Sequence, residues 1–304
     1  MSEKIFSYHS LFDFTKSVFL KIGCTHAHSE TATQTLLSAD LRGIDSHGVA
    51  RLSGYVRLWE VKRVNVNPQI KIIHETPSTA VVDGDSGLGL VVAPFAMNIA
   101  IEKSKSVGTG WVSVQNSNHF GIAAHHAMMA LKHDMIGLSM TNASPLVVPT
   151  FSIDKMLGTN PICVAAPAEN EPAFVADLAT TTAANGKLEI LQRKNADTPL
   201  GWVQDKDGNA TTDANILKKG GALLPLGGDR EHGSHKGYAL GAIVDIFSAL
   251  LSGANYAPWV PPFPAYVPIP AQQPGKGIGH FLGAMRIDAF RPADEFKQHM
   301  DNWI

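Results

Sequence analysis

The stretch Trp111-Val112-Ser113-Val114-Gln115-Asn116-Ser117-Asn118-His119-Phe120-Gly121 decides how this chain is organised. Its apolar first half predicts a strand, and the apolar run 122–131 that follows predicts a helix. The polar turn between them holds an imidazole and two carboxamides. Ligands and catalytic groups are often found at strand ends in α/β proteins, because a rigid sheet holds the loop in place. The turn at His119 is therefore the first candidate site.

Strand and helix signals alternate on both sides of this turn. The predicted strands are 70–73, 79–83, 111–115, 136–140, 162–166, 174–178 and 279–288. The predicted helices of the same region are 91–104, 122–132 and 181–193. This alternation indicates a layered α/β fold.

The chain before residue 65 has a different pattern. Apolar residues recur there at close to every 3.6 positions, which predicts three helices, at 6–22, 29–41 and 52–59. Gly43 follows the second of these and predicts a left-handed cap. The remaining predictions are loops at 194–219 and 255–277, a buried helix at 238–251 and an amphipathic helix at 294–304.

Composition limits the classes of protein to consider. The 304 residues are 44% hydrophobic and 17% charged, with a net charge of -2, as in a globular enzyme. No block of like charges supports binding to nucleic acid or to a membrane surface. No segment reaches the roughly 20 apolar residues that cross a bilayer. The spacing of Cys24 and Cys163 and the lack of an apolar signal core at the N-terminus predict a reduced, cytoplasmic protein.

A second histidine turn, Asp45-Ser46-His47-Gly48, lies at the start of a predicted helix. His47 and Arg51 are four residues apart, so a helix places both on one face. An imidazole transfers protons near neutral pH, and a guanidinium can hold a carboxylate with two parallel hydrogen bonds. The pair suits a small 2-oxo or 2-hydroxy acid. The spacing alone also allows His47 to cap the turn and Arg51 to be a solvated surface charge.

Other histidines leave alternatives open. His119 could bond only to backbone within its tight turn. His125, His126 and His133 allow a metal hydrolase to be considered, but no HExxH pattern or pair of carboxylates accompanies them. We therefore predict no metal site.

Three segments could hold a phosphorylated cofactor, although the chain has no G-x-G-x-x-G fingerprint and no Walker A sequence. The turn 158–161 is rich in hydrogen-bond donors. The segment 177–182 is predicted to end a strand and begin a helix, where free N–H groups and hydroxyls suit a phosphate or a ribose. Simple capping by threonine is the alternative. Lys236 lies at the start of a predicted helix, which is unfavourable unless an anion lies beside it.

Together these segments resemble the malate/L-lactate dehydrogenase family that is unrelated to the Rossmann-fold lactate and malate dehydrogenases. That family also includes ureidoglycolate and sulfolactate dehydrogenases, diketogulonate reductase and a cyclic-imine reductase. The matching segments follow one another in the family's order and are 41–48 with Arg51 and Tyr55, 116–121, 136–142, 158–161, 177–181 and 235–240.

The resemblance implies an α/β (α+β) fold with two domains. An NAD(P)-binding domain of the non-Rossmann type, with a largely antiparallel or mixed sheet, is expected at 76–224. A helical domain for substrate binding and dimerisation is expected from 1–75 together with 225–304. The resemblance also implies a homodimer with its active site near the subunit interface.

The activity implied is transfer of a hydride between NAD or NADP and a small 2-hydroxy or 2-oxo acid. Malate and oxaloacetate are the first choice, because the motifs look most like those of the malate dehydrogenases. L-lactate, sulfolactate, ureidoglycolate, diketogulonate and cyclic imino acids stay open, as does a dinucleotide-binding homologue without catalysis.

The resemblance assigns roles to individual residues. His47 and His119 are the candidate catalytic acid/base groups. Arg51, Ser46 and Asn118 are the candidate substrate-binding residues. The candidate cofactor-binding residues are Thr141, Asn142, Thr159, Asn160, Asp177, Leu178, Ala179, Thr180, His235, Lys236 and Gly237. Family members usually continue beyond the helix at 294–304, so we expect either a natural short form or a truncated chain, with a less enclosed cofactor.

Overall fold

The computed structural model describes residues 5–304. Its helices are α1 (Tyr8–Lys21), α2 (His26–Leu41), α3 (Leu52–Glu60), α4 (Gly89–Val107), α5 (Ala123–Met128), α6 (Asn185–Lys194), α7 (Ser234–Asp245) and α8 (Ala293–Trp303). Its strands are β1 (Lys71–Glu75), β2 (Thr79–Asp83), β3 (Thr109–Ser117), β4 (Met135–Thr141), β5 (Ile162–Ala166), β6 (Phe174–Leu178), β7 (Val203–Gln204), β8 (Ala210–Thr211), β9 (Ala222–Leu223) and β10 (Ile278–Arg286).

Seven strands form the main sheet, in the order β1-β2-β3-β10-β4-β5-β6. The pair β2–β3 is parallel, and every other pair in this sheet is antiparallel. The prediction of a mixed, largely antiparallel sheet is confirmed. The segment 225–304 contributes the central strand β10, while the division of the chain into two domains stays a prediction.

Two apolar clusters position the turn that follows β3. The first lies between α4 and the sheet, where Met97 packs with Val112 and Leu282. Gly110 allows this close packing, because a Cβ there would lie 1.9 Å from the carbonyl oxygen of Ala100. The second cluster joins α1, α2 and α3 to the start of α4. These contacts hold the helical layer and the sheet edge at a fixed distance from each other.

Most predicted elements are present with their ends shifted by a few residues, and four segments differ. The helix predicted at 122–132 ends at Met128 and is followed by a 3-10 turn, Leu131–His133. The segment 194–219, predicted to be loops, contains two strands of a small sheet of order β8-β7-β9. These strands have two residues each, too short for an alternating pattern to reveal them.

The helix predicted from Thr181 begins only at Asn185. The backbone N–H of Thr180 donates to Thr159 (3.0 Å), and its carbonyl accepts from Leu226 (3.0 Å). Thr181 pairs with Pro225 in an isolated bridge. Pairing with distant segments thus keeps this backbone extended, and the three threonine hydroxyls do not lie at a helix start.

Within a single copy of the chain, the prediction that 238–251 is buried is wrong. The helix α7 packs on the sheet with one side only and continues into a single π-helical turn, Ile246–Leu250. Six large apolar side chains of this segment are between 39% and 56% exposed, although Phe247 also contacts Phe281 of β10: Leu240, Ile243, Ile246, Phe247, Leu250 and Leu251. We call these six residues the α7 apolar face. No helix within residues 5–304 is long and apolar enough to cross a bilayer.

Candidate active site

The turn after β3 is tied to the glycine-containing turn that precedes α4. Asn118 donates from Nδ2 to the carbonyl oxygens of Ser86 (2.9 Å) and Gly87 (3.0 Å). Gly89 is needed because a Cβ there would lie 2.1 Å from the carbonyl oxygen of Asn118. The amide nitrogen of Asn118, a predicted substrate ligand, is thus used to hold the turn. Gly89 thus allows the backbone before α4 to approach the backbone of the turn after β3 closely.

His119 is held from one side by Tyr55. The Tyr55 hydroxyl lies 2.7 Å from Nδ1 of His119, and the backbone N–H of Gly121 donates to the same atom at 3.3 Å. A backbone N–H can only donate, so Nδ1 accepts and the proton of the neutral ring is on Nε2. Burial is the main cause that lowers the pKa of His119, and the neighbouring His47 and Arg51 add to it.

His47 meets His119 in the same cleft. The two rings are stacked, with their centroids 5.8 Å apart and their planes at 18°. Nδ1 of His47 lies 2.8 Å from the hydroxyl of Ser46. Burial, with a further contribution from Arg51, lowers the pKa of His47 to about 4. The structure therefore brings together the two histidine turns that the sequence singled out separately.

Arg51 faces this cleft and is only 20% exposed in its side chain, so it is not a solvated surface charge. Its Nε donates to the carbonyl oxygen of Ser46 at 2.6 Å. Its two terminal nitrogens donate to the two carboxylate oxygens of Glu189, at 3.3 and 3.1 Å. No local pattern indicates Glu189, because its partner Arg51 is distant in the chain.

Phe263 forms one wall of the cleft and was also missed. Its ring lies 4.7 Å from that of His119 and 5.3 Å from that of Tyr55. The proline-rich segment carries it there, with the Phe263 N–H donating to the hydroxyl of Ser144 at 3.0 Å. The segment 255–277 is irregular, as predicted, apart from a 3-10 turn at Ala257–Trp259. Prolines indicate a loop but not where the loop packs.

The buried residues among the cofactor candidates form a connected frame. Asn160 accepts from Ala143 N–H at 3.0 Å and donates to the carbonyl of Gly241, in α7, at 2.9 Å. Thr180 donates from its hydroxyl to the carbonyls of Thr159 and Asn160, at 3.2 and 3.1 Å. These contacts hold the turn 158–161 against the second half of α7.

A second part of the frame links β4 to β10. Asn142 accepts from the Gly279 N–H at 3.0 Å and donates to the carbonyl of Asn255 at 2.7 Å. The Thr141 hydroxyl lies 2.7 Å from Nδ1 of the buried His280. Asp177 accepts from the N–H of Ala124, at the start of α5, at 2.8 Å. The side chains of these three candidates are thus engaged by the protein itself.

The exposed cofactor-binding candidates lie at two places, the end of β6 and the first turn of α7. Leu178 is 60% exposed at the end of β6, beside Ala179. His235 and Lys236 are exposed in the first turn of α7, which starts after Gly233 without a side-chain cap and without an acidic residue. Gly237 lets this turn pack tightly, since a Cβ would lie 2.2 Å from the Leu226 carbonyl. An uncapped helix start with a lysine fits the phosphates of a dinucleotide.

The histidines of α5 are engaged elsewhere. Nε2 of His126 lies 2.9 Å from the carbonyl oxygen of Phe120, and Nε2 of His125 lies 3.3 Å from the hydroxyl of Thr35. Within residues 5–304, no group of three or more histidine, cysteine, aspartate and glutamate side chains has an arrangement that could hold a metal ion.

A family model described as malate/L-lactate dehydrogenase matches residues 6–304. The chain belongs to this family. Its members include malate, sulfolactate and ureidoglycolate dehydrogenases, and this chain is a nicotinamide-dependent dehydrogenase that acts on a hydroxy acid. The resemblance inferred from the sequence motifs is confirmed.

Individual family members are similar over nearly the whole chain. Malate dehydrogenase from Pyrococcus horikoshii is 44% identical over 295 residues, which cover 97% of this chain and 79% of that protein. L-sulfolactate dehydrogenase from Methanocaldococcus jannaschii is 38% identical over 288 residues, covering 94% and 79%.

Solved structures of the family share the fold. The malate dehydrogenase structure from Pyrococcus horikoshii superposes with a TM-score of 0.86 at 40% identity, covering 100% of this chain and 84% of that one. The malate dehydrogenase structure from Entamoeba histolytica superposes with a TM-score of 0.91 at 33% identity, covering 99% and 84%.

Proposed function

We propose that this dehydrogenase interconverts malate and oxaloacetate. The observation that carries the proposal is that His47, His119 and Arg51 share one cleft, with an imidazole pair beside a guanidinium. A 2-oxo acid has its carboxylate next to the carbonyl that is reduced. A carboxylate-binding group and a proton-transfer group must therefore be close neighbours, as Arg51 and His47 are. The 44% identity to a malate dehydrogenase supports malate as the substrate.

In the proposed reaction, Arg51 binds the substrate carboxylate and orients C2. When bound, the reduced nicotinamide supplies a hydride to C2. His47 gives a proton to the carbonyl oxygen, so that the 2-oxo acid gains one hydride and one proton. His119, fixed by Tyr55 and Gly121, supports the His47 ring by stacking against it.

The charge on Arg51 links substrate binding to proton transfer. In the substrate-free protein, burial and Arg51 keep the pKa of His47 at about 4, so the ring is neutral at pH 7. A neutral ring can accept the hydroxyl proton when malate is oxidised. Glu189 already raises the pKa of His47 against these two effects, and a substrate carboxylate that takes its place on Arg51 keeps a negative charge near the ring, which favours proton donation in the reductive direction.

The cofactor-binding candidates have two proposed functions. Thr141, Asn142, Thr159, Asn160 and Thr180 are proposed to keep the frame of the cofactor site rigid. Residues at the strand end and in the first turn of α7, of which Leu178, His235 and Lys236 are exposed, are proposed to contact the dinucleotide. These residues are Leu178, Ala179, His235, Lys236 and Gly237, with Asp177 behind them.

A panel assay tests the proposed substrate. The protein is mixed with NADH or NADPH, and loss of the reduced cofactor is followed after one candidate substrate is added. The candidates are oxaloacetate, pyruvate, sulfopyruvate, the 2-oxo acid formed by oxidation of ureidoglycolate, and a cyclic imine. We expect the highest kcat/KM with oxaloacetate. Enhanced NADH fluorescence without oxidation by any of these compounds would instead identify a dinucleotide-binding homologue without catalysis.

The Tyr55 hydroxyl provides a prediction about the histidine pair. Tyr55 is fully buried, and its replacement by Phe keeps the ring but leaves Nδ1 of His119 with only the weaker Gly121 contact. Loss of one buried hydrogen-bond partner costs about 1–3 kcal/mol, so kcat/KM should fall about tenfold or more. The KM for NADH should not change. Tyr266→Phe, at a position 81% exposed, is the matched control. A wild-type pH profile and kcat in Tyr55→Phe would exclude a role for this hydroxyl.

We propose that the chain is a homodimer that buries the α7 apolar face. Six large exposed apolar side chains on one helix are more than a monomer surface usually carries together. Each such side chain gains about 1.5–3 kcal/mol when it is removed fully from water. The partner in this proposal is a second copy of the chain, as the family resemblance implies.

Ile243→Asp places a charge in the middle of this face and should convert the dimer to a monomer. Sedimentation velocity at matched protein concentrations gives the measurement. Ile153→Asp, at a position 54% exposed outside the face, is the control and should stay dimeric. An Ile243→Asp protein that sediments like the wild type would place the interface elsewhere.

We also propose a cytoplasmic location. Cys24 and Cys163 are both free and buried, and burial raises the pKa of the Cys24 thiol to about 11. Two separate, unreactive thiols suit a reducing compartment.

A further inference from the structure

Three of the five N–H groups of Arg51 donate hydrogen bonds in the structure, and they lie on both of its carboxylate-binding edges. Its Nε–H is used by the Ser46 carbonyl, and its outer edge is used by both oxygens of Glu189. An arginine offers five N–H groups in a fixed fork, with two edges at which a carboxylate can accept two parallel bonds. The backbone carbonyl of Ser46 occupies one of these edges, and the carboxylate of Glu189 occupies the other. A substrate carboxylate can therefore bind Arg51 with two bonds only if Glu189 leaves.

Glu189 is positioned for this contact by α6. Asn185 donates from Nδ2 to Oε1 of Glu189 at 3.0 Å. Gly186 brings the start of the helix against the His47 turn, because a Cβ there would lie 2.5 Å from Cβ of Ser46 and 3.2 Å from a terminal nitrogen of Arg51. The first turn of α6 thus lies directly on the segment that carries the candidate catalytic residues.

The same geometry lets the pair open at low cost. The Glu189 side chain is 35% exposed, so its carboxylate reaches water when it turns away from Arg51. Partly exposed ion pairs contribute little net free energy, since hydration replaces most of the attraction. The contact is strong enough to compete with a substrate carboxylate and weak enough to be replaced by one.

We propose that Glu189 is an affinity- and specificity-determining residue, an internal carboxylate that occupies Arg51 in the free protein and is displaced by the carboxylate of the substrate. The inference rests on the proposed function of Arg51. A ligand that lacks a carboxylate cannot displace Glu189, so the exchange selects for acids. It also raises KM, because every binding event must first break the internal pair.

Removal of the competing charge should improve binding without changing the chemical step. In Glu189→Gln, the KM for oxaloacetate and the inhibition constant of oxalate, each measured with NADH present, should fall about fivefold. The kcat should stay within about twofold of the wild type, because Glu189 has left the site before the reaction. Glu189→Ala should show the same direction of change. Glu60→Gln, an exposed glutamate of α3, controls for the altered net charge.

Arg51→Gln, measured in parallel, separates the two levels of the proposal. A raised KM in Arg51→Gln together with a lowered KM in both Glu189 variants is the expected result. A raised KM in Arg51→Gln with an unchanged or raised KM in the Glu189 variants overturns the exchange and makes Glu189 a permanent support of Arg51. An unchanged KM in Arg51→Gln overturns the proposed function of Arg51, and the exchange with it.

Discussion

Replacement of His47 by alanine is expected to lower kcat for oxaloacetate reduction by a factor of about 10²–10⁴, the usual contribution of a positioned general acid or base. The binding of NADH, measured by fluorescence, should stay near that of the wild type. The reason is position: His47 follows Ser46, whose carbonyl oxygen holds Arg51, so the proton donor lies beside the carboxylate site. In the variant without His47, water has to supply the proton to the substrate carbonyl oxygen in a partly buried site.

His119→Ala distinguishes the two imidazoles. If His47 is the proton donor, His119→Ala loses only the support of the stacked ring and should retain more activity than His47→Ala. The exposed His299→Ala controls for loss of a histidine as such. Wild-type kcat in His47→Ala would show that the assignment is wrong, and His119, with its proton on Nε2, would become the better candidate.

Replacement of Arg51 by glutamine is expected to lower kcat/KM for oxaloacetate by a factor of about 10²–10⁴. Each hydrogen bond to a charged group contributes about 1.5–3 kcal/mol, and the bidentate contact contains two. Arg51→Lys keeps the charge but loses the planar fork, so its activity should lie between those of the wild type and Arg51→Gln. Steady-state kinetics at saturating NADH give these values. Equal kcat/KM in all three proteins would mean that the substrate carboxylate binds elsewhere.

The sequence predicted those parts of the site that depend on neighbouring residues. His47, Arg51 and His119 lie close together, as their turns suggested. The helical spacing is not the reason, because His47 lies in a bend before the 3-10 turn Val49–Arg51 and α3 begins only at Leu52. The strands at 79–83, 162–166 and 174–178 are present with the predicted ends. Local patterns carry this information because strand alternation and turn chemistry act over a few residues.

Contacts between distant segments could not be predicted in the same way. Glu189 reaches Arg51 across a long separation in the chain, and Phe263 reaches His119 from a proline-rich loop. The backbone pairing of Thr180 with Thr159 delays the start of α6, although the local sequence favours an earlier one. These features depend on packing, which overrides local preference.

The α7 apolar face shows another limit of sequence reading. A helix that is apolar on all sides is expected to be buried, but the pattern does not say whether its own chain or another subunit covers it. Within residues 5–304, the chain itself covers only one side of α7.

The most direct test is a crystal structure of the complex with NADH and oxalate. The proposal predicts that Arg51 binds the oxalate carboxylate, that the His47 ring lies within hydrogen-bond distance of an oxalate oxygen beside the nicotinamide, and that Glu189 has turned away from Arg51. A complex in which His47 and Arg51 both point away from the nicotinamide ring would contradict it.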